Sequence, residues 1–270
     1  MVDRTSRGAF DPTVAARGAD AGPDAARRPA PMMELIQEEG GLRATRVAGQ
    51  GTRLVAVFNS IGGTALRQAA PGEFSRLLAS DPANRLIFLS DLTRGWFASG
   101  AMMRAVIALV EAEAKRAEAT EIVSLGSSMG GFAALALAEF LPVRAALAFS
   151  PRYSPDDAVV PDARLVEHRA ACAPFVPQTV ASGLAAAPFS VVIHGLRGKD
   201  RRHVERFPAM PGLRHYLIPG VAHAVAAHLQ KNGMLGAVLS AALARQSADL
   251  DDIMLRVGAF SRLHPQPAAL

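Results

Sequence analysis

The sequence predicts an α/β domain of three layers, with helices on both faces of a mostly parallel central sheet. Three observations carry that expectation. Short continuous apolar runs recur along the chain, each bounded by turn residues, which is the pattern of strands buried on both faces. Helical patterns fall between successive runs, so neighbouring parallel strands would be joined by crossover helices. Of the 270 residues, 50% are hydrophobic and 20% are charged, a balance that supports a large buried core.

Residues 1–33 are polar, aperiodic and rich in Ala, Arg, Pro and Gly. They are expected to form a disordered tail. They hold no continuous apolar core of the kind a signal peptide needs, and Asp3, Asp11, Asp20 and Asp24 are out of keeping with a transit peptide. A single domain is expected over residues 34–264. Residues 42–47 alternate apolar and polar side chains, and a Gly-containing turn follows. Residues 54–58, Leu-Val-Ala-Val-Phe, form the first continuous apolar run, and residues 85–89, 121–125, 145–149, 190–194 and 213–218 repeat it. Between these runs, 73–79 reads as a short helix. Residues 101–119 read as a long one, with Met102, Val106, Leu109 and Val110 on one face and Glu111 one turn before Lys115. Residues 129–141 are almost wholly apolar, so that helix should be buried on all sides. Helices over 224–245 and 251–257 close the domain. Residues 150–188 break the alternation, with prolines at 151, 155, 161, 174, 177 and 188. A stretch of this length between two strands is expected as a lid-like excursion, with one short helix near 163–171.

Composition also excludes several classes of function. The net charge is +5, but only Lys115, Lys199 and Lys231 are lysines, and the arginines are scattered without a run longer than a pair. Aromatic residues make up 6%, too few for a base-stacking platform, so no nucleic-acid partner is expected. The single cysteine, Cys172, rules out an intrachain disulfide and a cysteine-based zinc site. No apolar run approaches the roughly 20 residues of a membrane span. A cytoplasmic location is expected.

Chemistry concentrates in residues 121–141. There Gly126-Ser127-Ser128-Met129-Gly130 fits the pattern G-x-S-x-G. It ends an apolar run and opens an Ala/Leu-rich helix, the strand–turn–helix setting in which a serine is forced into a strained backbone and its Oγ is pushed out above the sheet. Strand end and helix start must approach closely around such a turn, and glycines at 126 and 130 permit this. The Met129 amide would then point into the site at a helix N-terminus, where the dipole favours a developing negative charge.

This segment resembles the nucleophile elbow of the α/β-hydrolase family, and the order of strands and helices over about 42–245 is compatible with that fold. The resemblance implies a nucleophile, an acid and a histidine in that chain order. Ser128 is the implied nucleophile. His223, just beyond the last apolar run and before the helix from 224, is the implied base, with His194, His215 and His228 as rivals. Asp200, in the Gly-rich loop after 190–194, is the implied acid; its alternative role is as a helix N-cap, and Asp156 or Asp157 is the fallback. The oxyanion amides would be those of Met129 and Ser60. The family's usual His-Gly or Gly-Gly at the second of these turns is replaced here by Asn59-Ser60, and Ser60 or Thr64 alternatively caps a helix.

Two side chains are candidate pocket lining, Asn59 and the only tryptophan, Trp96; the alternative for Trp96 is packing a loop onto the body. Arg201-Arg202-His203 forms a small basic cluster beside Asp200. The resemblance implies a serine hydrolase that cleaves an ester or thioester of a small-molecule or acyl-bearing substrate through an acyl-enzyme, and it requires no cofactor. Acyl transfer on the same fold, and a non-catalytic accessory protein that kept the fold, are the alternatives. The histidines show no metal-binding spacing.

Overall fold

The strands are β1 (Glu34–Glu39), β2 (Leu42–Val47), β3 (Arg53–Phe58), β4 (Asn84–Asp91), β5 (Glu121–Ser127), β6 (Val143–Phe149), β7 (Ser190–Gly195), β8 (Leu213–Ile218) and β9 (Phe260–Ser261). In the computed structural model, which describes residues 31–61, 74–164, 169 and 172–262, they form one sheet in the order β1-β2-β4-β3-β5-β6-β7-β8-β9. Pairing is parallel from β4 through β3, β5, β6 and β7 to β8. It is antiparallel where β2 meets β1 and β4, and where β9 meets β8. The sheet is thus mostly parallel. The expected tail up to residue 30, Glu73 and Thr64 of the expected helices, most of the expected helix near 163–171, and the domain end at 263–264 lie outside the described residues.

The apolar runs are explained by where alternate side chains go. Along β3, Leu54, Ala56 and Phe58 enter one core, which they share with Met102, Val106 and Val110 of α2 (Gly100–Arg116), Phe132 of α3 (Met129–Ala136) and Leu184 of α4 (Ala181–Ala186). Here α1 is Ser75–Leu78. Val55 and Val57 enter the opposite core. That core includes Val225 and Leu229 of α6 (Val225–Lys231), Val238 of α7 (Leu235–Leu243), and Leu250 and Met254 of α8 (Ser247–Arg256). The remaining helix, α5, is Arg201–Val204. Helix α3 is buried at every residue, as its composition leads one to expect. Its small side chains let it lie close to the sheet, where the Ser124 hydroxyl of β5 donates to the Ala134 carbonyl at 2.7 Å.

Several boundaries depart from expectation. The single helix over 224–245 is two, α6 and α7, because Gly233 adopts φ +69° and turns the chain out of the helix. The helix from 129 ends at Ala136 and continues only as a 3-10 turn, Leu137–Glu139. The helix expected from 251 begins at Ser247. Strand β1 was hidden by its polar edge sequence ELIQEE, β9 by its two-residue length, and α4 by its place among the prolines. Among the described residues, no helix is long and apolar enough to cross a membrane.

Candidate active site

Ser128 stands between the end of β5 and the start of α3 with φ 55° and ψ −114°, a conformation that non-glycine residues seldom adopt. Close packing forces it. A Cβ on Gly126 would lie 2.2 Å from the Gly130 carbonyl oxygen, and one on Gly130 would lie 2.0 Å from the Phe58 oxygen and 3.0 Å from that of Asn59. The glycines therefore let α3 start directly against the end of β3. The Ser128 amide is tied to the Phe149 carbonyl at 2.8 Å, which fixes the turn to the next strand.

Two further loops complete the site, and both follow parallel strands at the same edge of the sheet. The loop after β8 carries His223, and the loop after β7 carries Asp200. They are laced together: the Arg197 amide donates to the Val221 carbonyl at 2.8 Å. A Cβ on Gly195 would meet that same carbonyl at 2.3 Å, so only glycine admits this approach. The result is a hydrogen-bonded chain. His223 Nδ1 lies 2.7 Å from Asp200 Oδ2, and His223 Nε2 lies 2.8 Å from Ser128 Oγ. A carboxylate only accepts, so Nδ1 carries the proton and Nε2 presents a lone pair to the Ser128 hydroxyl.

The Asp200 carboxylate is buried. Burial opposes its charge, but donation from His223 and from the Arg164 guanidinium more than compensates, and its pKa is lowered to about 2. Arg164 Nη1 reaches Asp200 Oδ1 at 2.8 Å. The same guanidinium grips Asp162 from Nε at 2.9 Å and Nη2 at 2.6 Å. Arg164 was not singled out in the sequence, because no motif marks it within the proline-rich excursion. Although Asp200 precedes α5, its side chain makes no cap hydrogen bond.

The other candidates are placed as follows. Asp156 accepts from Gln178 and from the Ala158 amide, and Asp157 pairs with Arg169, so neither fallback acid is bonded to His223. His228 lies in α6 and faces Asn232. His194 and His215 form a buried pair with Nδ1 of the first 3.0 Å from Nε2 of the second. His194 Nε2 must donate to the Pro151 carbonyl, so its Nδ1 accepts from His215. Burial lowers the His194 pKa to about 4, and the pair stays neutral. The Met129 amide is in the first turn of α3, where no intrahelical acceptor exists. Ser60 lies two residues beyond the end of β3. The two expected pocket residues meet almost no solvent: Asn59 is 4% exposed and donates from Nδ2 to Ser90 Oγ at 2.8 Å. Trp96 is 1% exposed, with the Arg152 guanidinium 4.6 Å above its ring. Trp96 therefore packs its loop onto the body rather than walling an open pocket. A cavity of about 510 Å³ lies nearby, bordered by Asp162, Arg164, Lys199, Arg201 and Arg202.

Solved structures supply the comparison. The chain is similar to Est1E from Butyrivibrio proteoclasticus, with 14% identity over 84% of this chain and 99% of that one and a TM-score of 0.53. It is similar to an arylesterase, 16% identical over 82% of this chain and 83% of that one, with a TM-score of 0.52. A carboxylesterase structure from the thaumarchaeon Nitrososphaera gargenis is 15% identical, over 80% of this chain and 100% of that one, with a TM-score of 0.51. No protein-family model and no curated protein matches the sequence. At these identities the similarity is one of fold, and the chain has the α/β-hydrolase fold.

Proposed function

We propose that this protein is a serine hydrolase that cleaves the acyl bond of an ester or thioester. The observation that carries the reading is the unbroken chain Ser128 Oγ–His223–Asp200, at 2.8 and 2.7 Å. His223 Nε2 takes the Ser128 proton as Oγ attacks the carbonyl. Asp200 holds the tautomer and offsets the charge of the imidazolium that forms. The Met129 and Ser60 amides stabilise the oxyanion. The leaving group takes the proton back from His223, and an acyl-enzyme on Ser128 remains. Water, deprotonated by the same histidine, then releases the acid. Residues 34–264 are read as one three-layer domain, with 150–188 as its lid-like excursion. The arylesterase and carboxylesterase among the structural neighbours agree with this reading.

The test is intact-mass analysis after exposure to a fluorophosphonate, on wild type and Ser128→Ala. One adduct on wild type, absent from the variant, is expected. An adduct that survives the substitution transfers the nucleophile to another residue, and no adduct on folded wild type ends the hydrolase reading. A panel of acyl esters and thioesters on labelled-competent protein then separates the acyl classes.

A further inference from the structure

The acid of the proposed triad has a second partner that comes from outside the loops of the catalytic residues. Arg164 belongs to the 150–188 excursion, yet its Nη1 donates to Asp200 Oδ1 while His223 occupies Oδ2. Both oxygens are thereby held, one on each side, and the plane of the carboxylate is set. Arg164 is itself immobilised. Its Nε and Nη2 form a fork on Asp162, its amide donates to the same carboxylate at 3.0 Å, and Asp162 also receives Arg152 Nη2 at 3.2 Å.

The far end of this network is equally fixed. The Tyr153 amide donates to His203 Nδ1 at 3.2 Å. That ring is therefore protonated on Nε2 and donates to Asp162 Oδ2 at 3.1 Å. Arg152, Asp162 and His203 are each almost wholly buried. Charges alternate along the path from Arg152 through Asp162 and Arg164 to Asp200, so each ion faces its opposite. A planar guanidinium is suited to bridging two carboxylates at once; a lysine ammonium is not.

We propose that Arg164 is a positioning residue for the triad acid: its bridge from Asp162 to Asp200 sets the carboxylate that aligns His223. This rests on the hydrolase reading above for its catalytic consequence, but the bridge itself is tested without substrate. With Arg164 in place, Asp200 Oδ1 is occupied and only Oδ2 is left to face His223. When Arg164 withdraws, the buried carboxylate loses its charge-assisted partner and is free to rotate.

The experiment uses the full chain as wild type, Arg164→Gln, Arg164→Lys and Arg201→Gln. The last removes a nearby exposed charge whose partner is Glu205. Carbon-13 NMR follows the Asp200 carboxyl titration, and steady-state ester hydrolysis follows kcat and KM. In Arg164→Gln the Asp200 midpoint should rise by a unit or more, and kcat should fall about tenfold or more with KM little changed. In Arg164→Lys, which keeps the charge and covers the case in which the glutamine variant fails to fold, the midpoint should stay near that of wild type while kcat still falls. Arg201→Gln should move neither. An Asp200 midpoint that does not move in Arg164→Gln, a kcat loss no larger than the loss of folded protein, or full kcat in Arg164→Lys overturns the proposal. Absence of hydrolysis in wild type refutes the hydrolase reading alone, and the carboxyl titration still decides the bridge.

Discussion

Gly130 lies so close to Phe58 that a Cβ on the glycine would stand 2.0 Å from the Phe58 carbonyl oxygen. Backbone atoms on both sides leave neither element a flexible side chain to move. Gly130→Ala should therefore push α3 off the end of β3, costing about 3 kcal/mol or more. It should also displace the Met129 amide at the start of α3. Urea unfolding measures the first effect, and fluorophosphonate labelling rate the second. Wild-type stability in the variant would show that the approach is looser than 2.0 Å implies.

Asp200→Asn keeps the shape of the acid and removes its charge. An amide nitrogen placed toward His223 would favour the wrong ring tautomer and leave no lone pair for the Ser128 proton. For a triad this costs about 10⁴-fold in kcat. Steady-state kinetics on an activated ester checks it. A rate within tenfold of wild type would remove Asp200 from the acid role.

Stability should fall in acid, in two stages. His194 and His203 are held by burial near a pKa of about 4, against 6.5 for the free side chain. The unfolded chain therefore binds protons that the folded one refuses, and stability declines as pH falls from 6.5 to 4, by about 3 kcal/mol per histidine. Asp200, near 2 when folded against 3.8 free, adds about 2 kcal/mol that is present above 3.8 and lost toward pH 2. Its neighbour Asp162 is lowered in the same direction, its burial outweighed by donation from Arg164. Tm against pH measures the whole curve. His203→Gln, which keeps a donor for Asp162, should flatten the segment between 6.5 and 4.

Asp91 organises the loop that carries Trp96. Its buried carboxylate accepts from the Thr93 amide and hydroxyl on one oxygen and from the Phe97 amide on the other. Three residues of this loop, Arg94, Trp96 and Phe97, have positive φ, so the loop is held against its own backbone preference. Asp91→Ala leaves buried donors without an acceptor and should destabilise the protein by about 2–4 kcal/mol. The single tryptophan reports the outcome directly: its emission should shift to the red as Trp96 meets water.

The sequence alone carried the sheet and the elbow, because both are written in local chemistry. Continuous apolar runs mark strands buried on two faces, and the glycines around Ser128 mark a turn that no side chain at 126 or 130 would permit. Chain order also placed His223 and Asp200 beyond their strands. What local pattern does not encode is which loops meet. Gly195 admits the Val221 carbonyl, and that contact brings the loops of Asp200 and His223 together. Trp96 is buried beneath Arg152 from a distant loop, so its role depended on a partner 56 positions away in sequence. Arg164 is the plainest case. Nothing near it in the chain distinguishes it from other surface arginines. Only the fold sets its guanidinium between the buried carboxylates of Asp162 and Asp200, because an ion pair is specified by proximity in space, and that proximity exists only once the chain has folded.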